Sequence, residues 1–306
     1  MDVDLRFGTL AATVSTQGGA IWRLEELDGG RCVPLLRPPP AGENRSPLQA
    51  ACFPLVPFGN RIAGNRFVFE GAIHELAPNT PGDSHVLHGD GWHGEWTVER
   101  QTARAVVLSY EHESRHSPFC YRAEQNIALA ADGLTLTMRV TNRSSLALPF
   151  GFGWHPYFPL TPQTSLQARA TSWWTEGQGH LPDRNRPVPA SLDFALPRRL
   201  PRRWINNGFE GWDGRARIVW PELGREMILE ADARFSRYFL FVSDPAFQAG
   251  YAYDFFCFEP MTHSANAHNL HDGAGLVRLA PGESFAGAIK LAWRRIDAGE
   301  APAQAG

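Results

Sequence analysis

AEQNIALA (123–130) and LTLTMRVT (134–141), two runs of alternating apolar and polar residues, stand on either side of Asp132-Gly133. Alternation with a period of two is typical of a strand with one buried face, and Asp-Gly favours a tight hairpin turn. Similar hairpin patterns surround Glu70-Gly71 and the Pro-Glu-Leu-Gly turn at 221–224. These three hairpins predict an antiparallel β-fold.

Further strand-like runs extend this pattern over most of the chain. Amphipathic helical patterning is weak, and 29 glycines and 24 prolines separate the runs. Many short strands with turn signals between them predict an all-β fold, either an antiparallel sandwich or a barrel. The additional strands are expected at 95–99, 105–111, 238–242, 253–258 and 285–293.

Domain organisation follows from the spacing of these runs. The segment 161–203 lacks regular patterning, and we expect it to pass over one sheet or across a cleft. No linker divides the chain, so we expect one domain over residues 1–306, with a flexible tail at about 298–306.

Composition limits the partners and the compartment. The net charge of −3 gives no reason to expect nucleic acid or an anionic membrane as a partner. The N-terminus lacks a signal-peptide pattern, and no apolar run approaches the length of a membrane span. The four cysteines include no Cys-x-x-Cys pair, so we expect reduced, buried thiols in a cytoplasmic protein. A monomer and a homodimer both remain compatible with the sequence.

Glu259 is the first candidate for chemistry, because it follows the apolar aromatic run YDFFCF (253–258). A carboxylate in such surroundings is costly to bury without a partner. Burial would raise its pKa toward neutrality and make it usable as a general base.

Two histidines are candidate partners for this base. His155 lies in GWHPYF (153–158), where aromatic neighbours could form an apolar wall for the C–H face of a sugar. His88 lies between the turn-rich segment 78–84 and the glycines of 89–91. A histidine can deliver a proton near neutral pH, although each of these residues alone could also be structural.

Arg61 lies between apolar neighbours in FGNRI (58–62), so we expect it to have a hydrogen-bonding partner. It could form a structural ion pair, or its guanidinium could bind sugar hydroxyls. Three later histidines, His263, His268 and His271, do not match the spacing of known zinc motifs. We expect them to be solvated or at the edge of a cleft.

Taken together, these segments resemble the aldose 1-epimerase (galactose mutarotase) family. The resemblance covers nearly the whole chain, because its motifs occur in the order found in the family. They are NRIAGNRF (60–67) with Leu-His-Gly (87–89), His-Pro-Tyr-Phe (155–158), and Glu259 followed by LAPGE (279–283).

The resemblance implies an all-β fold, a large antiparallel β-sandwich of the galactose mutarotase-like supersandwich type. It also implies that this fold binds a small-molecule sugar in a concave cleft, without a metal or organic cofactor. It implies that Glu259 takes the proton from the anomeric hydroxyl and that His155 protonates the ring oxygen. Arg61 and His88 would hold the ring oxygen and the hydroxyls. The opened sugar rotates about its C1–C2 bond and closes as the other anomer.

Two departures from the family pattern leave the sugar open. Asn206 stands where galactose-specific members carry a sugar-binding aspartate, and Met261 stands where they tend to have glutamine. A hexose-6-phosphate 1-epimerase is a second possibility. The Gly-Gly-Ile-Pro segment of that branch is absent, and FPLVPFG (53–59) fits the free-sugar branch better.

Two other hypotheses compete with an epimerase. The first is a non-catalytic sugar-binding or sensor protein that uses the same cleft. The second treats His88, His155 and Glu259 as a metal triad of two histidines and one carboxylate. The sequence lacks the short His-x-His spacing that usually begins such a site on β-strands.

Overall fold

A computed structural model describes residues 1–40 and 45–296. Over these residues the chain forms 26 β-strands, seven short 3-10 helices and no α-helix. None of the described helices has the length and apolar character needed to cross a membrane. The expected tail at about 298–306 lies outside the described residues.

The strands are short and follow one another closely along the chain. Those of the first half are β1 (Asp2–Phe7), β2 (Leu10–Ser15), β3 (Ile21–Asp28), β4 (Arg31–Pro34), β5 (Cys52–Leu55), β6 (Arg61–Ile62), β7 (Arg66–Phe69), β8 (Ala72–Glu75), β9 (Val86–Leu87), β10 (Thr97–Gln101), β11 (Ala105–His112), β12 (Tyr121–Ala130) and β13 (Gly133–Asn142). Those of the second half are β14 (Leu148–Phe150), β15 (Gly153–Pro159), β16 (Ser165–Ala168), β17 (Ser172–Glu176), β18 (Pro182–Pro187), β19 (Arg198–Arg199), β20 (Ile205–Glu210), β21 (Arg215–Trp220), β22 (Arg225–Ala231), β23 (Arg237–Val242), β24 (Phe255–Met261), β25 (Val277–Leu279) and β26 (Ser284–Arg295). The 3-10 helices are Pro47–Gln49, Ala63–Asn65, Gln178–His180, Ala190–Leu192, Pro221–Leu223, Ala267–Asn269 and His271–Gly275.

Two large antiparallel sheets contain most of these strands. The larger sheet has the order β1-β2-β3-β5-β15-β24-β23-β20-β17-β18, with β4 paired to β3, and the smaller sheet has the order β10-β11-β12-β13-β26-β22-β21-β16-β19. Three two-stranded pairs, β6–β9, β7–β8 and β14–β25, complete the described sheets. One hydrophobic cluster contains buried side chains of both large sheets, which confirms the predicted antiparallel sandwich.

The first predicted hairpin forms β12 and β13, and alternate residues of β12 are buried. Ala130 pairs with Gly133, so the turn is Ala131-Asp132, one residue earlier than expected. Gly133 belongs to the strand itself. A side chain there would collide with the backbone of Leu291 on β26. The glycine therefore permits a close approach between strands and does not form the turn.

The segment 161–203 is more regular than expected. Strands β16 and β19 join one edge of the smaller sheet, and β17 and β18 form one edge of the larger sheet. The expectation of an irregular excursion is wrong for these strands. Residues of β17 and β18 are half-buried or exposed, so no apolar alternation revealed them. The turn after β17 does reach the cleft, where Gly179 and His180 line it.

The cysteines are free, but only two of them are buried. Cys52 and Cys257 lie in central strands of the larger sheet, Cys120 is half-buried, and Cys32 is exposed. The expectation of four buried thiols is therefore wrong. Cys32 lies on β4, an edge strand that pairs only with β3 among the described strands.

Candidate active site

The floor of the cleft is formed by β15 and β24, which are buried on both faces. Phe256 and Phe258 of β24 point into the core between the sheets. Because side chains alternate along a strand, Cys257 and Glu259 point to the opposite face. That face is the cleft, which Glu259 lines.

The strand register brings His155 and Glu259 together. Gly153 pairs with Met261 and Tyr157 with Cys257, so His155 is level with Glu259 across the ladder. The His155 Nε2 atom lies 3.2 Å from Glu259 Oε1. Their side chains are only 8% and 2% exposed. Two groups predicted to act together are therefore neighbours on adjacent strands.

Burial controls the protonation of this pair. His155 Nδ1 and Glu259 Oε2 have no hydrogen-bond partner among the described residues. Burial raises the pKa of Glu259 well above its usual range, and the charge of Arg61 opposes this shift. Burial and then Arg37 lower the pKa of His155 to about 3. Both shifts favour a protonated carboxyl beside a neutral imidazole.

His88 lies directly after β9 and has a positive φ of 59°. Its ring meets that of His155 edge-on, with the ring centroids 5.2 Å apart. The backbone N–H of Asn60 donates to His88 Nδ1 at 3.0 Å. The neutral ring therefore carries its hydrogen on Nε2. Burial, then the charges of His155 and Arg61, lower the pKa of His88 well below its usual value, so the ring remains a neutral donor.

The structure also tests the metal-triad hypothesis. One ligand atom from each of His88, His155 and Glu259 lies within 4.8 Å of the other two. A neutral imidazole has one free lone pair, and that of His88 already accepts the Asn60 N–H. His88 could bind a metal only after losing this hydrogen bond, so its surroundings argue against the triad.

Arg61 lies on β6. Of the two roles expected from the sequence, a structural ion pair or the binding of sugar hydroxyls, the structure shows an ion pair. Its Nε and Nη2 atoms lie 2.9 and 2.8 Å from Asp83 Oδ2. Both residues line the cleft. Sequence reasoning assigned no role to Asp83, because aspartate in a Pro-Gly-Asp-Ser segment is an ordinary turn residue.

Asn206 lies on β20 and also lines the cleft. Its Nδ2 atom donates to Glu176 Oε1 at 2.7 Å. A carboxylate only accepts hydrogen bonds, so Nδ2 has to face Glu176 and Oδ1 is left for the cleft. Sequence reasoning missed Glu176, because nothing local connects it to a strand 30 residues later.

Arg37 forms part of the wall beside β15. Its guanidinium carbon lies 3.6 Å from the centroid of the Tyr157 ring. Its Nη2 atom donates to the carbonyl oxygens of Leu48 and Ala50 at 2.7 and 2.8 Å. The same carbon lies 4.5 Å from the centroid of the Phe255 ring. This residue was not predicted, since its contacts come from three separate segments of the chain.

The histidines that follow Glu259 lie differently from the expectation. His263 and His268 are buried, whereas His271 is exposed. His263 Nε2 accepts the N–H of Gly59 at 2.9 Å, so this ring joins two segments of the core. The prediction of solvated or cleft-edge histidines is wrong for these two, because apolar and backbone partners surround them.

Comparison with known proteins gives the family. Residues 1–292 match the family described as aldose 1-epimerase. The chain belongs to the aldose 1-epimerase family. This confirms the resemblance drawn from the sequence motifs.

A sequence match and a structure match, both from Escherichia coli K12, illustrate the relationship within the aldose 1-epimerases. The uncharacterized protein YphB is 47% identical over 291 residues, which cover 94% of this chain and 97% of that protein. A crystal structure named "putative aldose 1-epimerase" has a TM-score of 0.92 and 45% identity, and the match covers 97% of this chain and 99% of that one.

A more distant structure shows how widely the aldose 1-epimerase fold is shared. A galactose mutarotase-like protein from Clostridium acetobutylicum has a TM-score of 0.82 at 18% identity, over 96% of this chain and 95% of that one. At this identity the likeness concerns the fold alone.

Proposed function

We propose that this protein interconverts the α and β anomers of a free aldose by acid/base ring opening. The observation that carries the proposal is the buried contact between His155 Nε2 and Glu259 Oε1, at 3.2 Å. Ring opening requires one proton to leave the anomeric hydroxyl and another to reach the ring oxygen. Both oxygens are bonded to one carbon, so two adjacent side chains can each reach one of them.

The proposed steps conserve protons. The Glu259 carboxylate takes the proton of the anomeric hydroxyl, and the His155 imidazolium gives its proton to the ring oxygen as the C1–O5 bond breaks. The product is an open-chain aldehyde beside a protonated Glu259 and a neutral His155. After rotation about C1–C2, the same two protons return and the ring closes as the other anomer.

The pKa directions show which protonation state of this pair the protein alone favours. Burial favours a neutral Glu259 and a neutral His155, and that is the pair left after the ring has opened. The charged pair that binds the cyclic sugar differs from it only by one proton moved between Oε1 and Nε2. Burial therefore disfavours the charged pair in the protein alone, and hydrogen bonds from the bound sugar would have to stabilise that pair before the ring opens.

Three further residues would orient the sugar. His88 presents its Nε2–H toward the reacting pair, and Arg61 carries a positive charge at the cleft wall. Asn206 offers its Oδ1 as an acceptor for a hydroxyl group. Each interaction would fix the anomeric carbon relative to the acid and the base.

The test is anomer exchange, followed by polarimetry on freshly dissolved α-anomers of glucose, galactose, arabinose and xylose. We expect Glu259→Gln to lower the rate by about 100- to 10,000-fold, because the amide cannot take a proton. Glu124→Gln is the matched control, since Glu124 is a half-buried carboxylate on β12 outside the cleft. Turnover retained in Glu259→Gln would refute the assignment of the base.

Failure with all four sugars would lead to a second panel of aldose 6-phosphates. Acceleration of these alone would identify a hexose-6-phosphate 1-epimerase. Binding of sugars without acceleration of any of them would instead identify a sugar-binding or sensor protein.

A further inference from the structure

The cleft is larger than one sugar ring requires. Its volume is about 1090 Å³, just above the usual range of about 300 to 1,000 Å³ for small-molecule sites. The proposed reaction centre occupies only part of it, where His88, His155 and Glu259 converge. Beyond Asn206 the wall continues with His180, Phe241, Phe247 and Gln248, which we call the outer wall.

Phe247 gives the outer wall an open aromatic face. The residue is 53% exposed, although it packs against other rings. The centroid distances are 4.8 Å to Trp204, 5.4 Å to His180 and 6.1 Å to Phe241. These rings contact Phe247 edge-on or at a tilt, and about half of the residue stays exposed where it lines the cleft.

The loop that carries Phe247 is fixed by its own hydrogen bonds. The Asp244 side chain accepts the backbone N–H groups of Ala246 and Phe247 at 3.0 and 2.8 Å. The N–H of Gln248 donates to the Asp244 carbonyl at 2.9 Å. A ligand therefore meets a wall that needs little ordering on binding.

One carboxylate connects the outer wall to the reaction centre. Glu176 accepts hydrogen bonds from Asn206 Nδ2 and Trp204 Nε1, at 2.7 and 2.6 Å. His180 Nδ1 lies 2.6 Å from the same carboxylate. The position of the outer wall is thus fixed relative to the residue that would bind a hydroxyl of the reacting sugar.

The charges of the cleft favour a neutral occupant at the outer wall. The arginines that line the cleft are Arg37 and Arg61. Arg61 pairs with Asp83, and Arg37 lies over Tyr157 on β15, three strands away from the Asn206 strand β20. An aromatic face with amide and imidazole neighbours suits a pyranose ring, which has an apolar C–H face and a rim of hydroxyls.

We propose that His180, Phe247 and Gln248 form a second sugar subsite, which binds a neutral pyranose linked to the reacting sugar away from its anomeric carbon. The substrate class is then a reducing disaccharide or longer reducing oligosaccharide. The epimerisation of its terminal ring rests on the proposed function. The binding of the second ring does not.

Anomer exchange measured by NMR tests this subsite. Maltose, lactose and cellobiose, which all have glucose as their reducing ring, are compared with glucose. We expect at least one disaccharide to have a kcat/KM about tenfold above that of its monosaccharide, mainly through KM. Phe247→Ala should lower the ratio of disaccharide to monosaccharide kcat/KM by about tenfold. The control is Val68→Ala, because Val68 is exposed on β7 outside the cleft.

Binding to the Glu259→Gln variant, followed by calorimetry, separates the two proposals. Disaccharides that bind about tenfold more tightly than monosaccharides, and lose this advantage in Glu259→Gln/Phe247→Ala, would support the subsite even if the wild type exchanged no anomers. Equal affinities for both classes and no effect of Phe247→Ala would overturn it, even if the wild type were an active mutarotase.

Discussion

Gln125 on β12 and Glu259 on β24 are both buried polar residues inside strands, but their partners differ. Gln125 is 1% exposed, and both ends of its amide are hydrogen-bonded. Its Oε1 accepts Trp154 Nε1–H at 2.7 Å, and its Nε2 donates to the Gly19 carbonyl at 2.8 Å. Glu259 is 2% exposed, and its Oε2 has no partner among the described residues.

This difference separates a structural polar group from a candidate reactive one. A buried polar group lowers stability unless its hydrogen bonds are satisfied. Gln125 satisfies this condition within the fold and joins the two sheets. Glu259 does not satisfy it, and its neighbour His155 also has a free nitrogen. We infer that a ligand completes the hydrogen bonding of Glu259 and His155, because buried groups with strongly shifted pKa values in a cleft often belong to a functional site.

His155→Gln is the variant from which we expect the largest effect on activity. We expect anomer exchange to fall by about 100- to 10,000-fold, because glutamine cannot donate a proton to the ring oxygen. Polarimetry measures the rate, and urea unfolding measures the stability. The stability should change less than in the Gln125 variant described next, since His155 Nδ1 has no hydrogen bond to lose. A folded variant with wild-type turnover would refute the assigned acid.

Gln125→Leu should show the opposite behaviour. The free energy of unfolding should fall by about 2–4 kcal/mol, because the Trp154 N–H and the Gly19 carbonyl both remain buried without partners. Urea unfolding measures this loss, and the folded protein should keep most of its exchange activity. Gln101→Leu on the exposed edge of β10 is the control, with an expected change below about 0.5 kcal/mol. Equal losses in the two variants would contradict the structural role of Gln125.

Two buried histidines outside the cleft should affect the stability of the protein and not its activity. Burial lowers the pKa of His263 to about 4 and that of His268 to about 3. In the unfolded chain both titrate near 6.5, so below that pH the unfolded state binds more protons than the folded state. Stability is therefore lost as the pH falls from about 6.5, by roughly 2 kcal/mol for each histidine at pH 5.

His268→Gln should remove one of these two contributions. The loss of unfolding free energy between pH 7 and pH 5 should shrink by about 2 kcal/mol, as measured by urea unfolding at both values. His271→Gln is the control, because His271 is exposed. An unchanged pH dependence in His268→Gln would show that His268 does not remain neutral in the folded state.

Much of the fold was predictable from local patterns. The alternation in β12 and β13 placed both strands correctly, because every second side chain of such a strand faces the core and is therefore apolar in most cases. The turn between them was misplaced by one residue. Gly133 is needed for contact with β26, and a turn rule cannot anticipate contact with a strand 150 residues later. The edge strands β17 and β18 were missed for a similar reason, since they have no consistently buried face.

The candidate site was predictable in part. Glu259, His155, His88, Arg61 and Asn206 all line the cleft, and their roles in catalysis and binding stay predictions. Asp83 and Glu176 were missed. Each is an ordinary acidic residue in its own segment, and its importance comes from a partner on another strand.

Residue order was enough to establish an antiparallel β-protein and the residue types suited to acid/base chemistry, because strand periodicity and side-chain chemistry are local properties. The assembled sheets were needed to place His155 beside Glu259, to fix the hydrogen on His88 Nε2 and to turn the Asn206 oxygen toward the cleft. These features depend on register and on hydrogen bonds between distant segments, and only the packed structure determines them.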